Sequence, residues 1–334
     1  MTVRNDLNRT ARRLLLDSPL SPSLYRLMAK VFRVTAYSGQ GSDVCLREGY
    51  LPVPVHFYSP IPDIADLEAR SVWDTRTAMV GIDFREPAQE ELLARLGAAY
   101  GGECLWPFEP PGDPAQFYLD NQSFSFGCAA STYCLIRQHQ PRSVIEIGSG
   151  LSSRVISAAL RRNQAERGVS GLHVIVDPYA DKVLEGDAFP ATEVIAQRVE
   201  LLDPSFFSTL REGDVLFIDS GHSVRIGGDV NFLFLEVLPR LAPGVIVHVH
   251  DIALPFEYSK AYATTASFRQ FWTEQYLLQA FLCFNREFEA MLGMNWLMVE
   301  RMELVRAAFP HYDPAVHPFL SGSFWMRRVA ERSV

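Results

Sequence analysis

The stretch Ser143-Val-Ile-Glu-Ile-Gly-Ser-Gly-Leu-Ser-Ser153 decides how this chain folds. Val144, Ile145 and Ile147 form an apolar, β-branched run, the texture of a central parallel strand covered on both faces. Gly148 and Gly150 let the backbone turn tightly and leave no Cβ between it and a ligand. A helix leaves from Ser152 or Ser153, and its first amides favour electron-rich groups in front of them. Glu146 sits inside the apolar run, where a carboxylate is costly unless it meets a partner. Two glycines alone also fit an ordinary strand-to-helix turn, so the residues further along must decide between the two.

Downstream, strands and helices alternate at the spacing of a doubly wound α/β sheet. A helix over about 152–166 is followed by strands at 172–177, 193–199, 214–219 and 245–251. The pattern predicts a helix over 225–241, ended by Pro243-Gly244, and a long amphipathic helix over 264–283. Phe268, Phe271, Trp272, Tyr276 and Phe281 have helical spacing there and read as core, which places Glu274 and Gln275 near the outer face or at an acceptor mouth. The tail offers strands at 288–293 and 322–329, expected as an antiparallel edge, around a helix at 296–308.

Upstream, residues 1 to about 35 read as helix split by Pro19 and Pro22. Residues 49–64 carry four prolines and read as an extended loop whose interleaved apolar side chains want burial. Pro87 opens a helix reaching at least Leu96. Another helix carries Ala129 to Gln140. The whole is an α/β chain with a mostly parallel, Rossmann-like sheet in 126–334 and a mainly helical N-terminal region in 1–125. That region exceeds what such a sheet needs, so it is expected to cap the cleft, supply acceptor contacts and offer a surface for a homodimer.

Of the 334 residues, 48% are hydrophobic and 21% charged, enough for a sizeable core. The net charge of -8 leaves no basic surplus for nucleic-acid phosphates. Cys45, Cys104, Cys128, Cys134 and Cys283 are odd in number and form no CxxC pair, so they read as reduced residues of a cytoplasmic protein. No apolar run reaches membrane-spanning length, and a membrane partner is not expected.

In such a sheet, ligands bind beyond the carboxyl ends of the strands. Here those ends are polar: Glu146 and Gly148, then Asp177-Pro178-Tyr179, then Asp219-Ser220-Gly221-His222, then His250-Asp251. Asp177 lies about one strand–helix–strand unit after the glycine turn, where an acid accepts hydrogen bonds from ribose hydroxyls. Ser153 replaces the third glycine of a dinucleotide fingerprint, which counts against NAD or FAD. His222 follows Asp219 in its loop, where imidazole can take a proton from a hydroxyl. A purely structural bond to Asp219 or Asp251 is the competing reading. His248 reads as structural, and His173 belongs to no visible group.

The order Glu146-Ile-Gly-Ser-Gly150, Val176-Asp-Pro-Tyr179, Phe217-Ile-Asp-Ser-Gly-His222 and Val249-His-Asp-Ile252 resembles class I S-adenosylmethionine-dependent methyltransferases. More narrowly it resembles bacterial macrocin-type O-methyltransferases and their cephalosporin-hydroxylase-like relatives. The segments 56–63 and 271–281 also look like that group, so the likeness spans roughly residues 50–290. It implies S-adenosylmethionine as cosubstrate, held by Glu146, Gly148, Ser149, Gly150, Ser153, Asp177, Pro178, Asp219, Ser220 and Asn121. Asn121 also fits a turn-capping role. The likeness makes His222 and Asp219 catalytic and places a Mg²⁺ at Asp219, His250 and Asp251, although His250 stands where many members have an acid and imidazole suits Mg²⁺ poorly. The implied reaction is O-methylation of a small-molecule hydroxyl, on a sugar or a natural product. Aminocarboxypropyl transfer, cyclisation releasing methylthioadenosine, and a non-catalytic adenosyl-binding protein are the alternatives, with a dinucleotide oxidoreductase a distant further one.

Overall fold

A computed structural model describes residues 21–168, 170–180, 191–265 and 269–329. The chain divides into two compact units, Met1–Ser71 and Val72–Val334. In the first, α1 (Ser21–Ser38), α2 (Ser42–Arg47) and α3 (Ile64–Ala69) are joined by the proline-rich loop. The loop is non-helical as expected, but it bends through a turn in which the Ser59 amide donates to His56 O at 2.7 Å, and its aromatic residues are not buried, with Phe57 80% and Tyr58 86% exposed. The expected helix before Pro19 lies outside the described residues.

In the second unit, β1 (Ser143–Ile147), β2 (Leu172–Val176), β3 (Glu193–Ile195), β4 (Val215–Ile218), β5 (Ile246–Val249), β6 (Phe288–Gly293) and β7 (Phe324–Arg328) form one sheet. Its order is β3-β2-β1-β4-β5-β7-β6. The first five strands are parallel, and β7 pairs antiparallel with both β5 and β6. The expected antiparallel edge therefore forms. All side chains of β4 and β5 are buried, β4 as an unbroken apolar run and β5 with His248 as its one polar residue. The order reverses at β1 and β4, so the switch point lies between Gly148 and Asp219.

Helices cover the sheet: α4 (Glu86–Tyr100), α5 (Phe126–His139), α6 (Leu151–Arg167), α7 (Asp229–Phe232), α8 (Lys260–Thr264), α9 (Glu274–Leu282), α10 (Met294–Glu300) and α11 (Met302–Ala308). Residues 72–125, grouped by sequence with the N-terminal region, pack in this unit. Phe84 meets Trp296 edge-on at 5.6 Å, and Gln89 Oε1 accepts from the Gly293 amide at 2.6 Å. Among the described residues no helix is long and apolar enough to cross a membrane.

Three expected helices come out differently. The 225–241 segment becomes α7, then a wider π turn over Leu233–Val237, then a 3₁₀ turn over Leu238–Arg240. Pro239 has no N–H to continue an α ladder. The 264–283 helix splits into α8 and α9, with Phe268 outside the described residues. The 296–308 helix breaks at Arg301.

Candidate active site at the strand ends

The backbone at the switch point is built on close approach. Gly148 has φ +87°, and a Cβ there would come 2.0 Å from the Asp219 carbonyl oxygen. The Asp219 amide donates to Ile147 O at 2.9 Å, and the Gly148 amide to Val176 O at 3.0 Å. The turn after β1 is thereby pressed against the first residue beyond β4. Gly150 donates its amide to Ser153 Oγ at 3.0 Å, which starts α6. Ser153 is thus occupied in capping the helix, and its side chain is buried.

Glu146 finds the partners its burial requires. Ser152 Oγ donates to one carboxylate oxygen at 2.6 Å, and His173 Nε2 lies 2.7 Å from the other. Ser157 Oγ contacts His173 Nδ1 at 3.0 Å. Glu146 therefore ties β1 to β2 and to the first turn of α6. The sequence pattern places His173 in no group; the register, with residue 144 opposite 173, is what puts 146 and 173 on the same face of neighbouring apolar strands.

Asp177 stands at the end of β2. Its carboxylate accepts from Ser149 Oγ and from the Tyr179 amide, the latter at 2.7 Å. Pro178 is exposed beside it. Asn121 spends its side chain on its own turn: Oδ1 accepts from the Ser123 and Phe124 amides at 3.0 and 2.7 Å, and Nδ2 donates to Tyr118 O at 2.8 Å. The Ser220 hydroxyl is buried with no hydrogen-bond partner among the described residues.

Beyond β4 and β5 the acids and His222 converge. His222 Nε2 lies 3.4 Å from Asp219 Oδ1 and 3.4 Å from Asp251 Oδ2. Its Nδ1 is 2.9 Å from Glu274 Oε2. Glu274 is fully buried and begins α9, directly after the non-helical residues 269–273 that interrupt the expected long helix. That interruption exists because the His222 carbonyl accepts the Thr273 and Glu274 amides, while Thr273 Oγ1 accepts from the Val224 amide. Trp272 then lies 4.6 Å from the His222 ring, with Tyr262 4.6 Å from Trp272. Glu274 and Gln275 are thus inside rather than on the outer face, and Gln275 braces the loop by accepting from the Ala253 amide at 2.8 Å. His222 and Asp251 both hold left-handed backbone, at φ 54° and 55°. For residues other than glycine this is strained, and such strain concentrates at functional positions.

The group expected for Mg²⁺ does not form with His250. Its Nδ1 is 3.2 Å from His248 Nε2, its ring stacks on Phe124 at 5.1 Å, and its Nε2 stays 3.7 Å from Asp251 Oδ1. His250 stands behind Asp251, and His222 takes its place among the converging donors. His248 packs flat on Phe217 at 3.9 Å, which agrees with a structural role.

Charge in the cluster follows from these neighbours. Its place in the cleft disfavours an ionised Asp219, but His250 and His222 outweigh this and hold its pKa at about 2. Burial alone would lower His222, yet hydrogen bonds to Asp219 and Glu274 raise it well above the usual imidazole value. Burial raises the Glu274 carboxyl. Burial also lowers His250, but Asp219, Cys128 and Asp251 overcome it and set its pKa at about 9.

Residues 145–252 match a family model described as a methyltransferase domain. An uncharacterized protein of Archaeoglobus fulgidus is 29% identical over 201 residues, covering 58% of this chain and 88% of its own. A solved structure of a candidate methyltransferase from Thermobifida fusca aligns with 76% of this chain and 97% of its own, at 15% identity and a TM-score of 0.32.

Proposed function

We propose that this protein is an S-adenosylmethionine-dependent methyltransferase acting on a hydroxyl group of a small molecule. The observation that carries this is the meeting of Asp219, His222 and Asp251 beside the Gly148–Gly150 turn and Asp177, within the segment matched by the methyltransferase family. Asp177 would accept from the ribose hydroxyls, displacing its contact with Ser149. The partnerless Ser220 hydroxyl supports a polar ligand at the same rim. Asn121 and Ser153 have their polar atoms engaged locally, which supports a role in shaping the rim.

The sulfonium supplies its own activation, so the protein must align and deprotonate the acceptor. The acceptor oxygen bonds to the methyl carbon as the methyl–sulfur bond breaks, giving the methyl ether and S-adenosylhomocysteine. The hydroxyl proton passes to a carboxylate oxygen of Asp219 or Asp251, and His222, whose hold on its own proton is strengthened by Asp219 and Glu274, orients those acids. Trp272 lies against His222, with Tyr262 packed on Trp272, and these rings suit stacking against an acceptor ring. The residues Asp219, His250 and Asp251 do not fit a shared Mg²⁺, because imidazole suits that ion poorly and His250 Nδ1 is turned to His248 while its Nε2 stays 3.7 Å from Asp251.

Calorimetry with S-adenosylmethionine and S-adenosylhomocysteine tests the cosubstrate. We expect micromolar binding that weakens at least tenfold, about 1.4 kcal/mol, in Asp177→Ala. Turnover on a panel of sugars and phenols should release S-adenosylhomocysteine. Release of methylthioadenosine instead would assign transfer or cyclisation of the aminocarboxypropyl group, and absence of cosubstrate binding would end the proposal.

A further inference from the structure

We propose that α1 docks the protein reversibly on an anionic lipid bilayer, lying in the plane of the headgroups with one apolar row turned into them. The helix runs Ser21–Ser38 and holds no acid. Residues spaced four and then three apart fall on one line of a helix, so the middle of α1 presents three neighbouring rows. Met28, Phe32 and Thr35 make the inward row: Thr35 is buried, and Phe32 meets Tyr50 edge-on at 5.8 Å. Leu27, Val31 and Val34 make the next row, and they are 60%, 56% and 55% exposed. Arg26, Lys30 and Arg33 make the third row, exposed as well. A surface helix of a folded unit normally turns its apolar stripe to the core. Here α1 meets its own unit through one row and carries a second apolar row that the unit leaves uncovered, edged by three cations.

The order of the rows selects the occupant. A bilayer takes apolar side chains at the headgroup boundary while flanking Lys and Arg reach the lipid phosphates, and it asks for no matching shape. The positive charge is local, because the chain as a whole has a net charge of -8. It is reinforced in the sequence just before the helix, where Arg4, Arg9, Arg12 and Arg13 stand against only Asp6 and Asp17. A second copy of the chain fits this surface less well. Antiparallel pairing along the Leu27 row would set cations against cations, and parallel pairing would set them against the row that each helix turns to its own unit. The sequence-based expectation of no membrane partner rests on spanning length, which a helix lying in the interface does not need.

The test requires neither turnover nor cosubstrate, so its result is separable from that of the proposed methyl transfer. Full-length protein is sedimented with vesicles of phosphatidylcholine alone and with vesicles of phosphatidylcholine mixed with phosphatidylglycerol. We expect at least tenfold stronger partitioning onto the mixed vesicles, weakened by added salt. Replacing Arg26, Lys30 and Arg33 together by Gln should remove that preference. A control that replaces the exposed Arg161, Arg286 and Arg306 by Gln changes the net charge equally and should keep it. Leu27→Gln combined with Val31→Gln should weaken partitioning at least tenfold with the cations intact. Equal uptake by the two kinds of vesicle, a control that loses as much as the α1 variant, or uptake unchanged in the Leu27 and Val31 variant overturns the proposal. A dimer in light scattering that the same two substitutions dissolve, without vesicle uptake, overturns it too and assigns the row to a second copy. If a variant does not fold, the wild-type ratio between the two kinds of vesicle still decides.

Discussion

Glu146 and His173 show how one polar pair can fix a strand-end site from beneath. Both are essentially inaccessible, 0% and 2% exposed, and each accounts for the other. Removing one partner of such a pair leaves a buried charge or dipole without compensation, at a cost of about 3–5 kcal/mol. His173→Ala should therefore destabilise the protein by roughly that amount in urea unfolding. The double replacement Glu146→Met with His173→Phe should lose much less, because no charge remains buried. Equal losses in the two variants would show that the pair itself is not what matters. His139 offers a titration test at the end of α5. Burial, helped by Arg327, lowers its pKa from 6.5 to about 4. The unfolded chain therefore binds a proton that the folded chain does not between those values, so stability falls as pH drops from 6.5 toward 4 and then levels. Thermal melts across that range should show a shallower acid slope in His139→Gln than in the wild type.

At the scale of elements, the tightest contact outside the site joins α4 to α11. A Cβ on Gly97 would come 2.5 Å from the Ala308 Cα, and one on Gly101 would come 2.0 Å from its carbonyl oxygen. Gly97→Ala gains about 1 kcal/mol of helix propensity, yet must push two backbones apart, at about 1–3 kcal/mol. The contact should win, giving a lower unfolding midpoint; an increase would mean that α11 shifts freely. Much of this architecture is legible in the sequence. The parallel strands are short runs rich in Val and Ile, and β2, β4 and β5 are closed by Asp177, Asp219 and His250-Asp251, polar residues that the structure places at one rim. The 264–283 segment was not legible. Its aromatic spacing imitates a continuous helix, but the His222 carbonyl takes the amides of Thr273 and Glu274, a contact 51 to 52 residues apart along the chain. A helical period cannot report a hydrogen bond made at that separation. Glu274 could have been noticed as a carboxylate in an apolar stretch, the same signal that singled out Glu146. The substitution of His222 for His250 among the converging donors depends on the left-handed backbone at residues 222 and 251, which no local pattern announces.

For the whole molecule, the apolar cluster around the sheet draws its buried residues from Met79 to Met326, all inside Val72–Val334. A unit with its own core of this extent should fold by itself. The strand-end residues Glu146, Gly148, Asp177, Asp219, His222, Asp251 and Glu274 all belong to it as well. Residues 72–334 expressed alone should therefore unfold in one cooperative transition and keep near-ultraviolet circular dichroism from the buried Trp296 and Trp325. The same fragment should bind S-adenosylmethionine within about threefold of the full chain, a difference under about 0.7 kcal/mol. The sequence-based expectation that the N-terminal region supplies acceptor contacts is then read separately, as a rise in acceptor KM without a change in cosubstrate affinity. A fragment with native-like helix content but no fixed aromatic signal would place part of the necessary packing in residues 1–71. A folded fragment that no longer takes up S-adenosylmethionine would assign that region to the cosubstrate rather than to the acceptor.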